Sequence, residues 1–123
     1  MQNILIVVVV VALVLTKVYD VVTTIKYVGA RAETNPVAGP LMRRYGVARV
    51  SWGVFVLVLV VSLLAGYEGL SSESLVVKSC VVLFGGLVSF AQYSAGRFNS
   101  TGKGNFITGF ALRLYSCLGR VRR

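Results

Sequence analysis

The sequence predicts an all-α integral membrane protein: three transmembrane helices, with short interfacial helices in the inner loop and the C-terminal tail. The 123 residues are 56% hydrophobic and only 14% charged, with a mean hydropathy of +0.79. Soluble domains carry about 25% charged residues. Three apolar stretches approach the roughly 20 residues that a membrane helix needs. Their length exceeds that of buried strands, and they lack the alternation of a membrane barrel.

The three predicted spans cover about residues 3–28, 47–67 and 74–97, within a membrane domain of residues 1–99. The first contains the run ILIVVVVVALVL. No basic segment precedes it and no small-residue cleavage site follows, so we expect a true span rather than a signal peptide. The other two contain long stretches without any charge.

A polar stripe marks the end of the first span. Asp20, Thr23, Thr24 and Tyr27 are spaced as one face of a helix. Lys17 lies three residues before Asp20 and can form an ion pair with it. Because a carboxylate facing lipid is costly, we expect this stripe to face the other helices.

The loop after the first span contains two helix signals. Asn35-Pro36 is a strong helix start, since Asn caps helices and Pro favours the first helical position. Gly39-Pro40 is expected to interrupt again, leaving only short helices at about 36–38 and 40–45, closed by Gly46. Arg43 and Arg44 are expected to contact lipid headgroups.

The third span is expected to begin at a cap formed by Ser71 or Ser72 and to end at Arg97 and Asn99. Gln92 should lie level with the polar stripe. Residues 98–105 read as a flexible polar loop. Residues 100–123 form a basic amphipathic tail, which is either an interfacial helix or a docking helix for a partner. Its expected headgroup contacts are Arg113, Arg120, Arg122 and Arg123.

The charges predict the orientation of the chain. Basic residues cluster between spans one and two and in the tail, whereas the turn between spans two and three carries Glu68, Glu73 and only Lys78. Lys and Arg favour the cytoplasmic side, so the N-terminus should be outside and the C-terminus cytoplasmic. The net charge of +9 is spread over juxtamembrane ends. This favours anionic lipids over nucleic acid as partners.

The block D-x-x-T-T, followed by Gly and E-x-N-P, resembles a family of small membrane proteins from archaea and bacteria whose function is unknown. The resemblance covers residues 4–99 and implies a three-helix fold but no activity. The matching residues are Asp20, Thr23, Thr24, Gly29, Glu33, Asn35 and Pro36, with Asn99 at a polar position late in the third helix.

The side-chain inventory limits the chemistry. The chain has no histidine, and Cys80 and Cys117 lie far apart in sequence, so we expect no transition-metal site made by this chain alone, no disulfide framework and no cofactor. No nucleophile–base pair or phosphate-binding loop is present, and we therefore expect no enzymatic activity.

The polar residues near the first loop leave three interpretations open. Asp20 and Glu33 could fix the loop to the bundle through hydrogen bonds with neighbouring groups. Together with Thr23, Thr24 and Asn35 they could instead offer oxygen ligands to a hard cation or a small molecule. Catalysis is the third interpretation.

These observations lead to one functional hypothesis and two alternatives. The first is a non-catalytic accessory or scaffolding subunit of a larger membrane complex, packed against other membrane subunits. The alternatives are a homo-oligomeric ion or small-molecule carrier that uses the Asp20, Thr23 and Thr24 stripe, and a structural membrane protein of a virion.

Overall fold

The computed structural model describes residues 1–28 and 37–121, with side-chain surroundings up to residue 118. Within these ranges the chain is all-α and contains no strand. Three of the helices, Gln2–Tyr27, Val47–Ser71 and Leu75–Thr101, are long and apolar enough to cross a membrane, which confirms the predicted fold class. The helices are α1 (Gln2–Tyr27), α2 (Ala38–Tyr45), α3 (Val47–Ser71), α4 (Leu75–Thr101) and α5 (Phe106–Val121).

Helix α1 is the centre of the bundle. It packs most extensively on α4 and next on α3, whereas α3 and α4 contact each other less. Large apolar side chains cover the outside of all three helices, as Leu15, Val56 and Phe84 illustrate. Each long helix packs on its neighbours through one side only. The exposed apolar side is suited to contact with lipid.

Glycines bring α3 and α4 close to α1 in the half of the bundle that contains the α3–α4 connection, here called the turn end. A Cβ atom at Gly66 would lie 2.8 Å from Val10, and one at Gly85 would clash with Val9. Gly69 packs in the same way on Ile6. Valine and isoleucine side chains therefore fill the space that these glycines leave, and the contacts at these glycines are apolar.

Helix α3 is longer than predicted at the end that faces α4, whereas α4 begins at Leu75, one residue after its predicted start. The α3 helix continues to Ser71, and the connection is residues 72–74. Neither Ser71 nor Ser72 is the residue that caps α4. Ser74 occupies that position, and its N–H donates to the Ser72 hydroxyl.

The predicted end of α4 at Arg97 and Asn99 is wrong, because the helix continues to Thr101. Gly102 ends it in a left-handed conformation (φ +69°), and its N–H donates to the Phe98 carbonyl. Only residues 102–105 remain as a loop. Residues 98–101, which the polar composition assigned to a loop, therefore belong to the helix.

The predicted break at Gly39-Pro40 is also wrong. Helix α2 is continuous, and Pro40 lies in its first turn, where a missing N–H costs no hydrogen bond. Gly46 ends α2 as predicted, with φ +90° and its N–H bonded to the Met42 carbonyl. The Asn35-Pro36 helix start lies outside the described residues.

Candidate functional site

A cavity of about 480 Å³ lies at the end of the bundle opposite the turn end, here called the loop end. All five helices contribute to its wall. The size falls in the range of small-molecule sites in proteins, about 300–1,000 Å³. The lining residues with polar side chains are Lys17, Asp20, Thr24, Tyr27, Ser51, Asn99, Thr108 and Tyr115.

The two charged residues among the described lining residues form an ion pair. Lys17 Nζ lies 2.6 Å from Asp20 Oδ2, as their spacing on α1 predicts. Their side chains are only 12% and 15% exposed. The pair therefore neutralises both charges at a largely buried position, where an unpaired charge would be strongly unfavourable.

A second polar pair joins α1 to α4. The Asn99 amide donates to the Thr24 hydroxyl at 2.9 Å across 75 positions of sequence. Both residues line the cavity. The bond places two residues of the family-like pattern in direct contact, and it leaves the Asn99 carboxamide oxygen and the Thr24 hydroxyl proton without a described partner.

Two other predicted site residues lie away from the cavity wall. The Thr23 hydroxyl donates to the backbone carbonyls of Tyr19 and Asp20, and so it is used within α1. Gln92 accepts a hydrogen bond from Thr16 at 2.9 Å. Gln92 is therefore level with Thr16, one helical turn closer to the turn end than Asp20, which corrects its predicted position.

Ser51 is a site residue that the sequence did not reveal. It is 4% exposed and lines the cavity from α3, and its hydroxyl has no hydrogen-bond partner in the described part of the chain. The Thr16 and Thr23 hydroxyls bond to carbonyls of their own helix. The buried Ser89 hydroxyl on α4 also has no partner among the described residues, but Ser89 does not line the cavity. In the sequence Ser51 was only a small residue near a helix start. Its place in the cavity wall depends on how α1 and α4 pack against α3.

Helix α5 closes one side of the cavity with Thr108, Ala111, Leu112 and Tyr115. Asn105 caps this helix, because its side-chain oxygen accepts the Thr108 N–H and the Thr108 hydroxyl accepts the Asn105 N–H. The Asn105 amide also donates to Ser94 on α4 at 2.8 Å. These bonds fix the start of α5 against the bundle. The amphipathic pattern predicted this helix but not its place in the wall.

The remaining predicted residues divide into two groups. Arg43, Arg44 and Arg113 are exposed, and Arg44 stacks on Tyr45. Glu33, Asn35, Arg122 and Arg123 lie outside the described residues, as does the side chain of Arg120. Among the described residues, no three His, Cys, Asp or Glu side chains come together in a way that could hold a metal ion.

The geometry bears on the interpretation of the polar residues near the first loop as ligands of a hard cation. Of the expected oxygen ligands, Asp20 is paired with Lys17, Thr24 is paired with Asn99, and Thr23 faces its own helix. The described members of the set thus do not converge on one point as cation ligands do. What they form is a hydrogen-bonding wall on one side of a mainly apolar cavity.

Comparison of the chain with models of protein families, with curated proteins and with solved structures finds no match. The resemblance to the membrane-protein family therefore continues to depend on the motif residues.

Proposed function

We propose that the chain is a non-enzymatic membrane protein that binds a small molecule in the loop-end cavity. The observation that carries this proposal is the buried hydroxyl of Ser51, which has no partner among the described residues and lies in the wall of a cavity of about 480 Å³. A buried polar group without a partner costs about 1–3 kcal/mol. A bound molecule with a polar group would supply the missing partner.

The rest of the bundle supports binding rather than conduction. The polar pairs between α1 and α4 extend from Asn99 to Gln92. Beyond them, Val9, Val10 and Ile6 pack into the glycine positions of α3 and α4. A polar solute in the cavity would thus meet these close-packed apolar contacts before it could reach the turn end. A single copy of this bundle is suited to a site with access from one side.

Native mass spectrometry after mild detergent extraction tests the proposal. We expect a small-molecule adduct on the wild-type protein that is lost in Ala95→Leu, because Ala95 lines the cavity and leucine would fill part of it. Ala48→Leu is the matched control, since Ala48 is exposed on α3. Equal adduct on all three proteins, or on none, would contradict a specific site.

We further propose that the loop end faces the cytoplasm, as the distribution of basic residues suggests. In a variant whose Cys80 and Cys117 are replaced by serine, Ser72→Cys should react with a membrane-impermeant maleimide added outside intact cells. Ser72 lies in the connection between α3 and α4. Lys103→Cys, at the other end of α4, should react only after lysis. The reverse pattern would invert the orientation.

A second candidate function is the accessory subunit of a larger membrane complex. Gly53 and Gly86 favour it, because a Cβ atom at either position would meet nothing within 4 Å. Small residues on membrane helices mark close helix contacts, and the described part of this chain does not use these two. Large residues at both positions (Gly53→Leu, Gly86→Leu) should release the chain from a heterologous complex on native gels. A purely homo-oligomeric band in the wild type would argue against this role.

A further inference from the structure

We infer that the cavity takes an uncharged amphiphile: a molecule with a hydroxyl or amide head and a short apolar body. The inference rests on the proposed binding function and adds the chemical class of the ligand. Three features of the described wall lead to it. They are the balance of charge, the unused hydrogen-bonding atoms, and the apolar side chains and volume of the rest of the cavity.

The balance of charge disfavours an ionic ligand. Of the described lining residues, Lys17 and Asp20 alone are charged, and they neutralise each other at 2.6 Å. A carboxylate or phosphate bound beside this neutral pair would leave a net negative charge in the cavity, and an ammonium group would leave a net positive one. Burying a charge without a counter-charge is costly, and this cost opposes binding.

The unused atoms fit a group that both donates and accepts. Thr24 accepts from Asn99, so its own proton is available to a ligand oxygen. The Asn99 carboxamide oxygen is available to a ligand O–H or N–H, since the amide nitrogen makes the bond to Thr24. Ser51 adds a third group, a hydroxyl without a partner in the described part of the chain. An alcohol or amide offers a donor and an acceptor on one small head, as this set requires.

The remainder of the wall fits an apolar body. It consists largely of aliphatic and aromatic side chains from all five helices. At roughly 30 Å³ per water-sized group, the cavity of about 480 Å³ has room for about sixteen such groups. Its apolar lining residues include Val21, Met42, Val54, Ala95, Phe98 and Leu112.

Three probes with the same ten-carbon chain test the class: 1-monodecanoylglycerol, decanoate and decylamine. Each is titrated against the purified full-length protein in one saccharide detergent and followed by native mass spectrometry. We expect the glycerol ester to bind at least about tenfold more tightly than either charged probe. Ala95→Leu measures the background from detergent micelles, because leucine at that position fills part of the cavity.

A matched pair of serine variants tests the contact without depending on the cavity-filling variant. Ser51 and Ser62 are both buried on α3, but Ser62 does not line the cavity. Ser51→Ala should weaken binding of the glycerol ester about fivefold to tenfold, the effect of one lost hydrogen bond. Ser62→Ala should leave the affinity unchanged. Circular dichroism checks that both variants remain folded.

The outcomes separate the ligand class from the proposed function. Tighter binding of decanoate or decylamine, abolished by Ala95→Leu, would overturn the uncharged class while the binding function stands. If none of the three probes binds, but the wild-type protein carries a native adduct that Ala95→Leu removes, the uncharged ligand class is overturned and the binding function stands. Equal binding of all probes to wild type and Ala95→Leu, together with no native adduct, would overturn both proposals.

Discussion

Gly96→Ala is expected to destabilise the bundle by about 1–3 kcal/mol, the usual cost of extra volume in a packed interface. A Cβ atom at Gly96 would lie 2.5 Å from the Tyr19 ring and 3.3 Å from the Asp20 Cα atom. The ring cannot easily move aside, because it stacks on Tyr93 and its hydroxyl is 3.2 Å from Ser100. Helix α1 must therefore shift away from α4. Unfolding in a detergent mixture, followed by circular dichroism, measures the loss.

Gly86→Ala is the matched control for this prediction. Gly86 is on the same helix, but a Cβ atom there would meet nothing within 4 Å. The same substitution should be neutral or stabilising by up to about 1 kcal/mol, since alanine is the better helix former. Equal stability of the two variants would show that α1 and α4 do not approach each other at Gly96 as closely as described.

Asp20→Asn is expected to lower the stability of the folded bundle by about 3 kcal/mol, because it leaves Lys17 charged and largely buried without a counter-charge. The double variant Lys17→Gln/Asp20→Asn restores a neutral hydrogen-bonded pair at the same place. It should recover most of the loss. The same detergent unfolding assay compares the three proteins, and a single variant as stable as wild type would contradict a structural ion pair.

The Asp20 variant also discriminates between the functional hypotheses. A carrier that uses the carboxylate as an ion ligand predicts that Asp20→Asn abolishes flux into liposomes while the protein stays folded. A structural pair predicts reduced stability or yield of the single variant and rescue by the double variant. Rescue by Lys17→Gln is the decisive result, because an ion ligand would not be restored by removing a lysine.

The sequence predicted the spans well because contact with lipid requires a long apolar composition that is visible in the sequence. Long uncharged runs, Val-rich surfaces and flanking basic residues identify α1, α3 and α4 without knowledge of their contacts. Helix ends were less well predicted. The end of α4 depends on a left-handed Gly102, and the continuity of α2 depends on Pro40 lying in a first turn rather than in a helix interior.

The sequence predicted some residues of the candidate site and missed others. The Lys17–Asp20 pair follows from spacing on one helix, and Thr24 belonged to the predicted polar stripe. Ser51 and the α5 wall depend on packing between helices distant in sequence, which periodicity within one helix does not encode. The same limit explains Gly66 and Gly69, whose importance comes from Val10 and Ile6 opposite them.

The hydrogen bonds between α1 and α4 also set an order of events during biosynthesis. Thr16 meets Gln92, 76 residues later in the chain, and Thr24 meets Asn99, 75 residues later. At about 5–20 residues per second, the ribosome adds each partner roughly 4–15 s after the threonine that it contacts. During that interval α1 carries its own counter-charge in the Lys17–Asp20 pair, and the Thr16 hydroxyl can bond to its own helix. The polar groups of the central helix are thus partly satisfied within α1 itself before α4 has been synthesised.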